Sequence, residues 1–309
     1  MALDLIALGE PLVEFNQSGE GTDGTFYRLG FGGDTSNTAI AAARQGVRAG
    51  YFTGLGQDAF GDMFMQLWAA EGVDTSHVVR RAEAHTGMYF VTHGPDGHVF
   101  SYMRAGSVAS LVKPQDIPAK YIAGAKYLHI SGISQAISDT ACDSVLAAID
   151  TARAAGVKVA YDTNLRLKLW PLARARAITH ATIPLCDVIF PSLEDATVLT
   201  GLSDPDDIAS FYLDLGASLC LLKMGKDGVL VAERGNRQKI AGYKVASVDA
   251  TGAGDTFDGS FLAMLIEGRS PIEAARYANA AAALSTCGYG AVAPIPRRSE
   301  VEAFLNAPH

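Results

Sequence analysis

Asp255 ends the string Asp249-Ala-Thr-Gly-Ala-Gly-Asp255, which runs on as Thr-Phe-Asp-Gly-Ser260. A stretch rich in β-formers (243–248) precedes it, and an apolar helical run (256–266) follows. The first amides of a helix have no partner inside it and carry the positive end of its dipole, so glycines at a helix start make an anion site. Gly252 and Gly254, with no Cβ, let an anion approach the backbone and allow positive φ in the turn. A carboxylate beside such a pocket repels the anion unless it has a task. Two tasks suit Asp255. It can cap its own helix, or it can take a proton from a hydroxyl while the amides of Ala253, Gly254 and Asp255 hold the charge on a transferring phosphoryl group.

Other polar clusters sit where they could share that chemistry. Phe31-Gly-Gly-Asp-Thr-Ser-Asn37 leads into an Ala-rich helix expected over 38–45, with Asp34 or Thr35 as its cap. Glycines there again leave amides open to a polar ligand. Three further clusters follow predicted strands: Asp162-Thr-Asn164-Leu-Arg166, Pro191-Ser192-Leu-Glu194-Asp195, and Lys223-Met-Gly225-Lys226-Asp-Gly228. Singly each is consistent with an ordinary turn between strand and helix. Jointly they describe one cleft, because ligands of open α/β sheets lie beyond the carboxyl ends of the strands.

The elements that must position these groups alternate. Strands are expected at 3–8, 48–54, 127–130, 158–161, 188–190, 218–222 and 228–233, with helices at 59–71, 139–155, 193–199, 206–215, 256–267 and 271–285. That alternation predicts an α/β fold with a mostly parallel sheet covered on both faces. Residues 87–93 and 98–104 break the pattern as an antiparallel hairpin joined by Gly94-Pro-Asp-Gly97, and the Gly-rich segment 19–24 suggests a loop or hairpin. An added hairpin suits a lid. Under a lid, Tyr89, Tyr102 and Arg104 reach a ligand; without one, the tyrosines pack on a strand face and Arg104 is a solvated edge charge.

Bulk properties exclude whole classes of partner. The chain has 309 residues, is 49% hydrophobic and 19% charged, and carries a net charge of -8. It has no basic footprint for nucleic acid or an anionic membrane, so an anionic ligand must be met by locally placed bases. No signal peptide is indicated, no run is long enough to span a bilayer, and the four scattered cysteines suit reduced thiols, so a cytoplasmic location is expected. No His-x-x-x-His pair points to zinc, and the sequon at Asn16-Gln17-Ser18 carries little without secretion. No Gly-x-x-x-x-Gly-Lys-Ser/Thr loop is present, and Gly288-Tyr-Gly290-Ala-Val-Ala293 runs into Pro294, out of context for a dinucleotide site.

With these residues in place, the sequence resembles the ribokinase-type carbohydrate kinase family over essentially its whole length, and within it 2-keto-3-deoxygluconate kinases. The likeness rests on Gly32-Gly33 with Asn37, on 249–257, on Ser131-Gly-Ile-Ser134, on Tyr102-Met-Arg104, and on Asp162-Thr-Asn-Leu-Arg166 followed by Leu169-Trp170. It implies a single ribokinase-like three-layer sandwich over 1–309, with a small β lid from about residues 10–32 and 86–106. It also implies ATP- and Mg²⁺-dependent phosphorylation of a sugar hydroxyl, with Asp255 as base and Gly252, Ala253 and Gly254 as the anion hole. Nucleotide contacts would fall near Lys223, Gly225, Gly228 and Asn279. Gly33, Asn37, Tyr89, Tyr102, Arg104, Asn164 and Arg166 would line a sugar-acid pocket, with arginine gripping the carboxylate.

One departure concerns the family's Asn-x-x-Glu pattern near Mg²⁺ and phosphate. Ser192 and Asp195 stand there, with Glu194 adjacent, so Asp195 and Glu194 are both candidates for the metal, directly or through water. A monovalent cation, if used, would sit near 287–291. Exposed lid edges suggest a homo-oligomer. Same-fold kinases of fructose, ribose or 5-dehydro-2-deoxygluconate, and a non-catalytic sugar or nucleotide sensor, are the competing readings.

Overall fold

The computed structural model describes residues 2–17, 26–94 and 97–307. Its strands are β1 (Leu5–Leu8), β2 (Leu12–Gln17), β3 (Tyr27–Gly32), β4 (Ala49–Phe52), β5 (Gly54–Gly56), β6 (Val79–Arg81) and β7 (Met88–Gly94). They continue with β8 (Gly97–Met103), β9 (Tyr127–Ser131), β10 (Lys158–Asp162), β11 (Val188–Ile189), β12 (Leu219–Lys223), β13 (Val229–Glu233) and β14 (Asn236–Ile240). The main sheet is ordered β14-β13-β12-β11-β10-β9-β1-β4. From β12 to β4 its neighbours are parallel, and β13 and β14 close one edge as an antiparallel hairpin.

Strands buried on both faces need apolar residues at consecutive positions, and the side chains then separate by pleat. Ile6, Leu128, Val159, Ile189 and Leu222 join one core with Val145 and Ile149 of helix Asp139–Ala154. Leu5, Ala160, Val188 and Leu221 join the other with Phe261 and Leu262 of helix Ala253–Ile266 and Ala278 of helix Pro271–Ser285. Helices on both faces make the three layers.

A second sheet, β3-β2-β7-β8, carries the expected hairpin as β7 and β8, with Tyr89 opposite Tyr102. Phe15 of this sheet packs edge-on against Phe60 of helix Ala59–Ala70, with ring centroids 5.7 Å apart. The hairpin's Pro95-Asp96 tip, the Gly-rich segment 19–24 and Ser18 of the sequon lie outside the described residues. Among the described residues no helix is long and apolar enough to cross a membrane.

Several elements differ from expectation. Residues 243–248 form no strand despite their β-formers, and the edge strand before them is the polar β14. Helix Leu172–Thr182 was not anticipated because its buried stripe is Ala175, Thr179 and Thr182, small or polar residues that leave little hydrophobic period. In helix Arg298–Asn306 only Val301 is buried. The helix expected over 38–45 begins at Asp34, and neither Asp34 nor Thr35 caps it. Its cap is Gly33 at φ 109, where a Cβ would lie 2.5 Å from the Glu10 carbonyl oxygen and 2.6 Å from Pro11 Cα. Only glycine allows the helix to start that close to the chain leaving β1.

Helix Asp34–Arg44 packs against helix Ala253–Ile266 at Gly259, where an added Cβ would come 2.3 Å from the Thr38 carbonyl oxygen and 2.8 Å from Ala41 Cβ. Gly259→Ala is therefore expected to destabilise the protein by about 1–3 kcal/mol, because neither backbone can yield without moving a helix. Urea unfolding at matched m-value measures it, and an unchanged midpoint would show that the two helices are not in tight contact.

Candidate active site

The two glycine-started helices meet at their N-termini. Helix Ala253–Ile266 starts from Gly252 in the left-handed conformation, φ 76, with no side-chain cap, so Asp255 is not spent on capping. A Cβ on Gly252 would lie 2.9 Å from the Ala291 carbonyl oxygen. From the other helix, Asn37 Nδ2 donates to Asp255 Oδ2 at 2.7 Å. Burial pushes the Asp255 carboxyl up to about 7; the nearby Asp34 charge adds to this, and the Asn37 hydrogen bond opposes it. A carboxyl poised there can take a proton at neutral pH.

Behind the loop lies a cation. Lys223 Nζ bonds Asp162 Oδ2 at 3.1 Å and Asp258 Oδ1 at 3.1 Å, and it would stand 3.4 Å from a Cβ on Gly254. Burial lowers its pKa, but Asp162 and Asp258 outweigh that and push it up. Its charge lies just beneath the amides of the glycine loop.

The three loops expected to share a cleft touch one another. Leu165 N donates to Asp195 Oδ2 at 3.0 Å, Lys223 N donates to the Pro191 carbonyl at 2.8 Å, and Asn164 N donates to Asp162 Oδ1 at 3.1 Å. Asn164, at φ 29, is the sole positive-φ residue other than glycine among the described residues, and strain of this kind concentrates at functional sites. Asp195 is half-buried, with burial pushing its carboxyl up, whereas Glu194 is exposed. Gly225 (φ 56) has open space around it, and Gly228 (φ 93) is crossed by the Ile240 carbonyl, 2.0 Å from where a Cβ would be. Asn279 Nδ2 ties down that crossing through the carbonyls of Ile240 (3.3 Å) and Ala241 (3.2 Å).

The second sheet supplies the remaining side chains, and several already have partners. Arg104 Nε donates to Glu10 Oε2 at 2.7 Å; Glu10 is fully buried and also accepts from Ser107 Oγ at 2.8 Å. The Arg104 guanidinium lies 5.5 Å from the Tyr102 ring centre. The buried Tyr89 hydroxyl donates to Glu14, and its ring lies 5.8 Å from that of Tyr102, which is exposed. Arg166 is exposed, and its hydrogen bond is to the neighbouring Leu165 carbonyl, 2.8 Å away. Glu10, Glu14 and Asp258 are site residues that sequence reasoning missed. The available signal was a lone acid in each of two otherwise apolar stretches, Glu10 in 5–13 and Asp258 in 256–266, with Glu14 directly after the first.

No three acidic, thiol or imidazole groups converge into a metal cage among the described residues. The acids of the 191–195 loop suit a cation that keeps most of its waters, as Mg²⁺ does.

Residues 3–298 match the family described as pfkB family carbohydrate kinase. A 2-dehydro-3-deoxygluconokinase of Thermoproteus tenax is 34% identical, over 99% of this chain and 95% of its own. A ribokinase of Haemophilus influenzae is 32% identical, over 94% and 92%. Among solved structures, a putative ribokinase II of E. coli, in complex with ATP and Mg²⁺, superposes with TM-score 0.90 at 27% identity, covering 98% of this chain and 99% of that one.

If Asp255 acts as a base, kcat/KM rises with pH through about 7. Asn37→Ala removes a donor that favours the ionised form and so moves that rise to higher pH. A pH-rate profile from about pH 5.5 to 9 checks both, and a flat wild-type profile would remove Asp255 from the proton transfer. Stability runs the opposite way. A carboxyl raised from 3.8 to about 7 holds its proton in the folded state while the unfolded chain releases it, so stability falls as pH rises across that window. Asp255→Asn abolishes this loss, and thermal melts at pH 5 and 8 report it.

Proposed function

The chain belongs to the pfkB family of carbohydrate kinases, and on that premise we propose that it phosphorylates the terminal hydroxyl of 2-keto-3-deoxygluconate or a closely related keto-deoxy sugar acid. The observation that carries this reading is Asp255, held by Asn37 at an uncapped glycine-rich helix start, with its carboxyl raised to about 7. The acceptor hydroxyl donates to Asp255, which takes the proton as the new O–P bond forms. The bond from the γ-phosphorus to the β–γ bridging oxygen breaks, and ADP leaves. Charge on the transferring group faces the amides of Ala253, Gly254 and Asp255, with Lys223 beneath them.

The nucleotide lies toward the 223–228 loop, where Gly225 is open and Asn279 fixes the 240–241 crossing. Mg²⁺, held through water by Asp195 or Glu194, would neutralise phosphate charge. The hydrogen bond from Gly290 N to Asp249 Oδ2, 2.9 Å, couples the 287–291 loop to the anion hole and is the route by which a monovalent cation there would act. The β3-β2-β7-β8 sheet serves as the lid over the sugar. Its exposed Val99 and Met103 on β8 suit pairing with a second copy.

The T. tenax relative supports a keto-deoxy acid, and Arg166, which bonds no carboxylate among the described residues, suits the acid's carboxylate. A neutral sugar is the second reading, favoured by the neutralisation of Arg104 by Glu10. Coupled ADP release with 2-keto-3-deoxygluconate, 2-keto-3-deoxygalactonate, fructose and ribose separates the two. Arg166→Ala is expected to raise KM for the acids about 10- to 100-fold, matching the loss of a charge-assisted hydrogen bond. Turnover on neutral sugars alone, or an unchanged KM, would remove the acid assignment. Arg104→Ala is a poorer probe, because it leaves Glu10 buried and unpaired and is expected to cost about 3–5 kcal/mol of stability.

A further inference from the structure

Helix Asp34–Arg44 has a polar anchor at each end. Its first turn carries Asn37, bonded to Asp255, and its last residue, Arg44, has every guanidinium nitrogen engaged. Arg44 Nε and Nη2 donate to Glu71 Oε2 at 2.9 Å and Oε1 at 2.7 Å, a bidentate pair whose side chains are 10% and 9% exposed. Nη1 donates to the carbonyls of Val292, at 3.1 Å, and of Ile295. The next residue, Gln45, is fully buried and donates from Nε2 to the Pro296 carbonyl at 2.9 Å. These carbonyls belong to one segment, 292–296, that lies in neither helix nor strand.

Traced backward, the same segment reaches the anion hole. The Thr286 carbonyl accepts from Val248 N at 2.7 Å and Asp249 N at 3.1 Å, and Gly290 N donates to Asp249 Oδ2 at 2.9 Å. The Ala291 carbonyl oxygen lies 2.9 Å from where a Cβ on Gly252 would be. Residues 286–296 thus run between Arg44 and Gly252, from which the helix carrying Asp255 starts. Packing explains part of this anchoring, because Val292 and Ile295 are buried in the cluster that holds Ala41 and Trp68. It does not explain the ion pair. A buried pair adds little stability over apolar side chains of similar volume. Glu71, moreover, is the C-cap of helix Ala59–Ala70, where the helix dipole disfavours an acid. An acid placed against that preference, holding an arginine whose remaining donors reach a single loop, fixes a geometry. We propose that Arg44, oriented by Glu71, is a positioning residue for phosphoryl transfer: it holds segment 286–296 against Gly252 and so sets the direction of the open amides of 253–255. One helix then steadies the base through Asn37 at its start and the anion hole through Arg44 at its end. This role rests on the kinase reading, and not on which sugar is the acceptor.

The test compares wild type with Arg44→Met/Glu71→Met, which removes the pair without leaving a lone buried charge, at a temperature well below both melting points. Turnover is measured with ATP, Mg²⁺ and the best acceptor among 2-keto-3-deoxygluconate, 2-keto-3-deoxygalactonate, fructose and ribose, and backbone hydrogen exchange is followed by mass spectrometry. The expected kcat is lowered about 10- to 100-fold, the cost of a misplacement of about 1 Å, with KM for the acceptor within about threefold. The pH at which kcat/KM rises stays in place, and exchange in 286–296 becomes faster. Arg44→Lys keeps the charge but not the planar fork; it is expected to fall between the two and carries the same readouts if the double variant does not fold. A kcat within about twofold of wild type overturns the proposal by making the pair structural only, and so does unchanged exchange in 286–296. A rise in kcat/KM displaced to another pH overturns it as well, since the damage has then reached Asn37 and Asp255. Each of these results leaves the kinase reading intact, whereas a wild type that turns over none of the four acceptors defeats that reading and this role together.

Discussion

The hydrogen bond from Asn37 to Asp255 joins residues 218 positions apart, and the geometry of the cleft depends on it. It is made because two helices start from glycines that no other residue could replace without collision, and because Gly259 lets those helices lie against each other. The bond orients one carboxylate at the open amides of a helix start and limits how far burial raises its pKa. Around it lie Asp34, Asp162 and Asp258, with one buried cation, Lys223. Burial first, and the Asp34 and Asp162 charges after it, raise the Asp255 carboxyl to about 7, while the buried Lys223 places a positive charge close to Gly254. Polar groups arranged at such energetic cost are characteristic of sites that act on charge.

The second sheet solves a related problem differently. Two of its polar side chains are already paired within the fold, Arg104 with Glu10 and Tyr89 with Glu14, so that face is preorganised before any ligand arrives. A guanidinium pinned by a buried carboxylate keeps its position but loses net charge. Arg166, on the opposite loop, is exposed and forms no ion pair among the described residues.

Much of this was legible in the sequence, and the exceptions have physical causes. The parallel core announced itself through short apolar strands alternating with helices, and the glycine loop before Asp255 through the conflict between a carboxylate and an anion pocket. The loops at 162–166, 191–195 and 223–228 were placed by the rule that ligands gather at strand carboxyl ends, and they do touch. Glu10, Glu14 and Asp258 were not found, because a single acid in an apolar stretch has no periodic signature and its partner comes from a distant element. Asp34 was read as a helix cap because its spacing suits one; only the position of Gly33 shows that the cap is already taken. Helix Leu172–Thr182 was missed because alanine and threonine, not leucine, face its core.

The central claim is that Asp255 takes the acceptor's proton while the glycine loop holds the phosphoryl group. Single-turnover ³¹P NMR of wild type and Asp255→Asn with ATP, Mg²⁺ and the preferred acceptor tests it most directly. This mechanism predicts a sugar phosphate ester formed by wild type at neutral pH, with the rate lowered at least about 100-fold in the variant and ATP binding intact in both. Ester formation by Asp255→Asn at a rate close to that of wild type would contradict it.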